Sequence, residues 1–173
     1  MNETMKILKE RRSIRHYRPE QIGRQELDAI LEAGLYAASA KNLQSTKLVA
    51  VQDRAVIEKM ARWNAEAWGK EGADPFFGAP TVVVVLSDSR CANWIQDGAL
   101  VMGNLMNAAA AMGIGSCWVN RAMETFDRPE GQALLAEWGL SPDWRGVGNC
   151  VLGYADEPLL HDMVRKPDRI LYI

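Results

Sequence analysis

Apolar residues along this chain fall into blocks whose spacing predicts its elements. Leu27, Ile30, Leu31, Gly34 and Leu35 recur at helical intervals, which predicts a helix over 25–38. The same periodicity places Val56, Met60, Trp63 and Ala67 on one face of a helix over 54–68. Ahead of these, Met5, Ile7 and Leu8 fit a short helix capped by Asn2 or Thr4 and ending near Arg11 and Arg12. The run Thr81-Val-Val-Val-Val-Leu-Ser87 is a different signal: continuous β-branched residues suit a central strand buried on both faces. Further strands are expected over 46–52, 115–120 and 147–154. The segment 94–112 is apolar around most of its circumference, so the expectation is a helix buried nearly all round and stopped by Gly113. Asp127, Pro129 and Glu130 read as a helix start, with Asp127 as the capping side chain and Gly139 as the stop.

Helices and strands mix without regular alternation, and no repeat or linker divides them. The chain, 1–173, therefore reads as a single α+β domain with helices packed around one sheet. Its length allows a core that needs no disulfide staples. A net charge of -2 gives no footprint for nucleic acid. Cys91, Cys117 and Cys150 are odd in number and lack paired spacing, which argues against both a disulfide framework and a zinc site. His16 and His161 have no metal-ligand spacing either, and no metal is expected. The N-terminus lacks the apolar stretch of a signal peptide, and Asn104 and Asn107 break the longest apolar run. A cytoplasmic protein is expected. The polar tail closes on apolar Ile170-Leu-Tyr-Ile173, which calls for a docking surface, often a second subunit in a small protein.

Three segments carry candidate chemistry. Arg11-Arg12-Ser13-Ile14-Arg15 offers guanidinium groups beside a hydroxyl, a set that binds phosphate. A solvated basic helix end explains the same residues. Ser39, Lys41, Asn42 and Gln44 offer donors and acceptors, or simply end a helix. Gly113-Ile-Gly-Ser116 follows a helix and precedes a strand, the reverse of a dinucleotide-binding loop. Most of the six tryptophans suit core or interface packing, with Trp68 a possible pocket wall. No serine has a histidine at a spacing that suggests a nucleophilic triad.

Taken in order, four segments resemble the nitroreductase family across essentially the whole chain. They are Arg11–Tyr17 with the helix running into Tyr36–Gln44, the approach and strand Phe77–Val85, the helix and glycine turn Asp97–Trp118, and Gly153-Tyr154 with Arg165-Lys166-Pro167. The resemblance implies a central mixed, mostly antiparallel sheet flanked by helices. It also implies a homodimer with FMN at the interface, its C-terminal segment exchanged with the partner. Arg11, Arg12, Ser13, Arg165 and Lys166 would then hold the FMN phosphate, and Arg15 would lie toward the ribityl chain and pyrimidine edge. There it would stabilise charge on the reduced ring. Ser39, Lys41, Asn42 and Gln44 would reach the flavin, commonly from the partner, while amides near Gly115 and Ser116 would approach the ring.

The implied activity is hydride transfer from NAD(P)H to a nitroaromatic or quinone. Flavin destruction, dehalogenation or dehydrogenation on the same fold, and flavin binding without turnover, are the alternatives. The chain departs from the family pattern at Ala38, where proline is usual, and at Ser45-Thr46, where a Pro-Trp pair is usual. Loss of the proline is expected to loosen the loop, and loss of the tryptophan to change packing near the pocket. The usual polar flavin contact before the central strand has no plain counterpart, and Asn64 and Lys70 lie nearest.

Overall fold

The structure, a computed structural model, describes residues 2–156 and 164–173; His161 lies outside them. Among the described residues six α-helices and four strands follow in the order α1 (Glu3–Glu10), α2 (Arg24–Leu35), β1 (Thr46–Val51), α3 (Arg54–Trp68), β2 (Thr81–Asp88), α4 (Trp94–Ala111), β3 (Gly115–Val119), α5 (Ala122–Asp127), α6 (Pro129–Glu137) and β4 (Trp144–Gly153), with a short 3-10 turn at Ala40–Asn42. The sheet order is β1-β2-β4-β3. Each of the three strand pairings is antiparallel. The parallel part of the expected mixed sheet reduces to one isolated bridge, Ser13 to Ser116.

The β-branched run of β2 does what its composition requires. Val82, Val84 and Leu86 enter one apolar cluster with Ile57, Met60 and Trp63 of α3, Phe126 of α5 and Leu134 and Leu135 of α6. Val83 and Val85 point the other way, into a cluster with Leu27 and Ile30 of α2 and Val101, Met102 and Leu105 of α4. The period of two along a strand produces this split, and the result is three layers, with helices on both faces of the sheet.

Side chains at the element ends match their local chemistry. Asn2 caps α1 by accepting from the Met5 amide at 2.9 Å, and Asp53 caps α3 by accepting from Val56 at 3.0 Å. Gly69 closes α3 in the left-handed region, where the absence of a Cβ removes the steric penalty. At Gly98, α4 crosses the sheet so closely that a methyl group would lie 2.6 Å from Val147 Cγ2.

Two expectations need correction. Helix α4 is not buried all round: Asp97, Gly98, Val101, Met102, Leu105 and Ala109 face inward, while Ile95 and Leu100 are exposed. Only one face of α4 meets the sheet and α2, which leaves the rest of its apolar circumference open. Asp127 does not cap α6. It is the last residue of α5 and pairs with Arg145, and the residue before Pro129 is Arg128, which makes no side-chain cap. The apolar end of the tail, from Ile170 to Ile173, is exposed along its length.

Candidate functional site

Beyond α1 the chain runs alongside β3. The Ile14 amide donates to the Ser116 carbonyl at 3.0 Å, and Tyr17, bridged to Ala155, donates its hydroxyl to the Ile14 carbonyl at 2.6 Å. Residues a hundred positions apart thus form one ledge, with Ser13 and Ile14 beside Gly115 and Ser116. Ser116 Oγ there and Arg11 Nη1, near Cys150, are buried without a hydrogen-bond partner among the described residues, as are Trp118 Nε1, Thr125 Oγ1 and the amide atoms of Asn149. Native interiors seldom leave such atoms unpaired, so each one calls for an explanation. A guanidinium and a hydroxyl form a donor set suited to a phosphate. Arg11 also sits near enough to Cys150 to favour its thiolate, yet burial dominates and pushes that thiol up to about 12.

The other residues of the basic segment are arranged differently. Arg12 Nη1 donates to the carbonyls of Lys9 at 2.8 Å and Arg11 at 2.9 Å. The Arg15 guanidinium lies 5.8 Å from the centre of the Phe77 ring. Arg165 and Lys166 are exposed on the closing segment.

The loop over 39–44 is exposed but fixed. Lys41, Asn42 and Gln44 all adopt positive φ, and the Ser39 hydroxyl accepts from the Gln44 amide at 3.0 Å. Gln44 in turn donates to Asn42 at 3.1 Å. Its anchor is Asp97 of α4, 3% exposed, whose carboxylate accepts from the Ala40 amide at 3.0 Å and the Ser45 hydroxyl at 3.1 Å. Thr46 and Ser87 share a hydrogen bond at 3.0 Å. Ser45 and Thr46 thus tie the end of the loop to α4 and to the sheet.

A cavity of about 200 Å³ gathers Arg15, Asn64, Trp68, Phe77, Asn120 and Arg121. It adjoins a second of about 270 Å³, and the two share Asn120 and Arg121. Asn64, buried at the end of α3, donates to the Asn120 carbonyl at 2.7 Å, which ties α3 to the exit of β3. A cavity of about 530 Å³, larger than either, lies elsewhere, between α3 and the loop before β2, and holds none of the sequence-predicted residues.

Sequence reasoning missed Asp97, Asn120 and Arg121. Asn120 and Arg121 carry no motif, and only the fold brings them to Arg15. Asp97 gave one signal, an acid isolated in an apolar helix.

The family model for the nitroreductase family matches residues 8–154, and the chain belongs to that family. It is 33% identical to an Archaeoglobus fulgidus protein named "Putative NADH dehydrogenase/NAD(P)H nitroreductase", over 98% of this chain and 97% of that one. A Bacteroides fragilis nitroreductase crystallised with bound FMN superposes with a TM-score of 0.92 at 31% identity, covering both chains fully. A Desulfitobacterium hafniense nitroreductase, 24% identical with a TM-score of 0.88 over 100% of this chain and 99% of that one, shares the fold.

Proposed function

We propose that this chain, as one domain over 1–173, is a cytoplasmic FMN-dependent oxidoreductase that carries hydride from NAD(P)H to an electron-poor acceptor. The observation that carries the reading is the pair of unpartnered buried atoms, Arg11 Nη1 and Ser116 Oγ, on a fold shared end to end with an FMN-bound nitroreductase. Arg11 and Ser13 would hold the phosphate, joined by Arg12 and by Arg165 and Lys166 from the tail. Arg15 would set positive charge at the pyrimidine edge. Amides at Gly115 and Ser116 would face the ring, and Ser39, Lys41, Asn42 and Gln44 would reach it from a partner subunit.

FMN, when bound, supplies the hydride-accepting ring, and the chain supplies position, charge and exclusion of water. For a nitro compound the overall balance is NAD(P)H + H⁺ + R–NO₂ giving NAD(P)⁺ + R–NO + H₂O. A quinone takes the same hydride and proton to become a hydroquinone. Donor and acceptor use the site in turn, which gives ping-pong kinetics.

The exposed apolar surface supports a homodimer. Leu35, Tyr36, Leu43, Ile95, Leu100 and the closing Ile170–Ile173 are large apolar groups left in solvent by one chain, surface that a second copy would cover. The tail would cross to the partner. The visible spectrum of the purified protein and its anaerobic titration with NADH and NADPH test the reading. A yellow dimer bleached by one nucleotide and recoloured by a nitroaromatic or quinone is expected. A yellow protein that neither nucleotide bleaches would refute turnover, and a colourless one that refuses added FMN would refute the cofactor.

A further inference from the structure

Asp97 is the only charged residue of α4, and it points inward together with Gly98, Val101, Met102, Leu105 and Ala109. A carboxylate buried to 3% exposure costs stability that an apolar side chain would not, so its presence calls for a reason outside the core. Its two oxygens grip the two ends of one loop: Oδ1 accepts from the Ala40 amide at 3.0 Å and Oδ2 from the Ser45 hydroxyl at 3.1 Å. Between those ends Lys41, Asn42 and Gln44 take φ of 53°, 56° and 48°, a region that suits glycine. Three such residues in four positions persist only where surrounding bonds over-determine them. The side chains of Lys41, Asn42, Leu43 and Gln44 nevertheless stay exposed, so the strained backbone serves no packing inside this chain. It holds a set of polar groups outward in one fixed arrangement.

We propose that Asp97 is a positioning residue for the flavin: it sets the 39–44 loop in its left-handed form before the cofactor arrives, and so removes the ordering cost from FMN binding. The proposal rests on the oxidoreductase reading above, in which Ser39, Lys41, Asn42 and Gln44 reach the flavin from a partner subunit. Groups fixed in advance keep affinity that a mobile loop loses in becoming ordered. Asp97 acts through Ala40 and Ser45, which occupy its two carboxylate oxygens.

The full chain, freed of flavin and titrated with FMN well below its unfolding temperature, tests this by quenching of flavin fluorescence. Asp97→Ala is expected to bind FMN about tenfold more weakly. Asp97→Asn, which keeps an acceptor for Ala40, stays within about threefold of the wild type. Leu135→Ala truncates a fully buried side chain in the cluster on the far face of the sheet. It lowers stability at least as much, yet leaves FMN affinity unchanged. Size-exclusion chromatography shows each variant in the same oligomeric state as the wild type. Where Asp97→Ala does not fold, Ser45→Ala deletes one of the two bonds and takes its place, with an expected loss of about threefold. Equal FMN affinity in the wild type and in whichever of these two variants folds overturns the proposal. So does an equal loss in Leu135→Ala, which would reduce the effect to stability. A loss in Asp97→Asn as large as in Asp97→Ala overturns it too, because the charge and not the grip on the loop would then be at work, and a change of oligomeric state would assign the carboxylate to assembly. Each of these outcomes, with a wild type that binds FMN, defeats this proposal alone; a wild type that refuses FMN defeats the oxidoreductase reading and takes the proposal with it.

Discussion

Removing the Asp97 carboxylate tests how the 39–44 loop is held. Asp97→Ala deletes the acceptor of the Ala40 amide and of the buried Ser45 hydroxyl. A hydrogen bond to a charged group contributes about 1.5–3 kcal/mol, so two give roughly 3–6 kcal/mol at most. Against this stands the cost of keeping an ion in a site that is 3% exposed with no cationic partner among the described residues. That cost amounts to several kcal/mol before its hydrogen bonds are counted, and the alanine variant escapes it. The expected net loss is about 2–3 kcal/mol, or a melting temperature lowered by roughly 5–10 °C for a chain of this size. Asp97→Asn keeps an acceptor for Ala40, and its amide can donate to the Ser45 oxygen, so its loss should stay near 1 kcal/mol. Urea unfolding of the three proteins, followed by far-UV circular dichroism, reads these values from the midpoint at constant slope. An alanine variant within about 0.5 kcal/mol of wild type would show that the loop is not held this way.

Arg11→Ala is expected to weaken FMN binding by about tenfold or more, read by quenching of flavin fluorescence, while leaving apoprotein stability equal or higher because an unpaired buried donor is lost; a large loss of apoprotein stability would contradict the assignment. Gly98→Ala sets a methyl 2.6 Å from Val147 Cγ2 and 2.9 Å from Ser87 Oγ, which should cost about 1–3 kcal/mol in urea unfolding. No change there would mean that α4 moves off the sheet freely. Burial keeps the Cys150 thiol protonated in the fold up to about 12, against 9.0 ordinarily. As pH rises through that window the unfolded chain holds fewer protons, so stability falls, by up to about 1.4 kcal/mol per unit. Tyr17, also raised by burial, adds a loss of the same sign above its ordinary value of 10.0. Cys150→Ala should flatten the lower part of that decline, and an equal slope in both proteins would refute it.

Much of the fold was legible because it is written in short-range periodicity. The spacing of Val56, Met60 and Trp63 placed α3 at its observed bounds, and the valine run placed β2 at the centre of two cores. Helix α5 was not legible. It spans only Ala122–Asp127, too short for a repeating apolar face, and it is held by packing: a methyl at Gly146 would collide with the Ala122 backbone. The capping pattern at Asp127 was misread for the same reason, since Arg145 claims that carboxylate from a distant strand. The basic segment and the polar loop could be picked out as candidates from residue type alone. Asn64, Asn120 and Arg121 become one site only because α3 and the end of β3 meet in space, and no spacing along the chain records that meeting.

The strands β2 and β4 divide the interior into two apolar rooms that share a wall of backbone. Met60 on one side and Leu105 on the other are fully buried, yet they belong to different rooms. Truncating both should cost the sum of the separate losses to within about 0.5 kcal/mol. Phe77 and Cys117, which line the Arg121 chamber, rest on the Met60 side. Trp118, from the same lining, rests on the Leu105 side, so recutting that cavity disturbs both rooms.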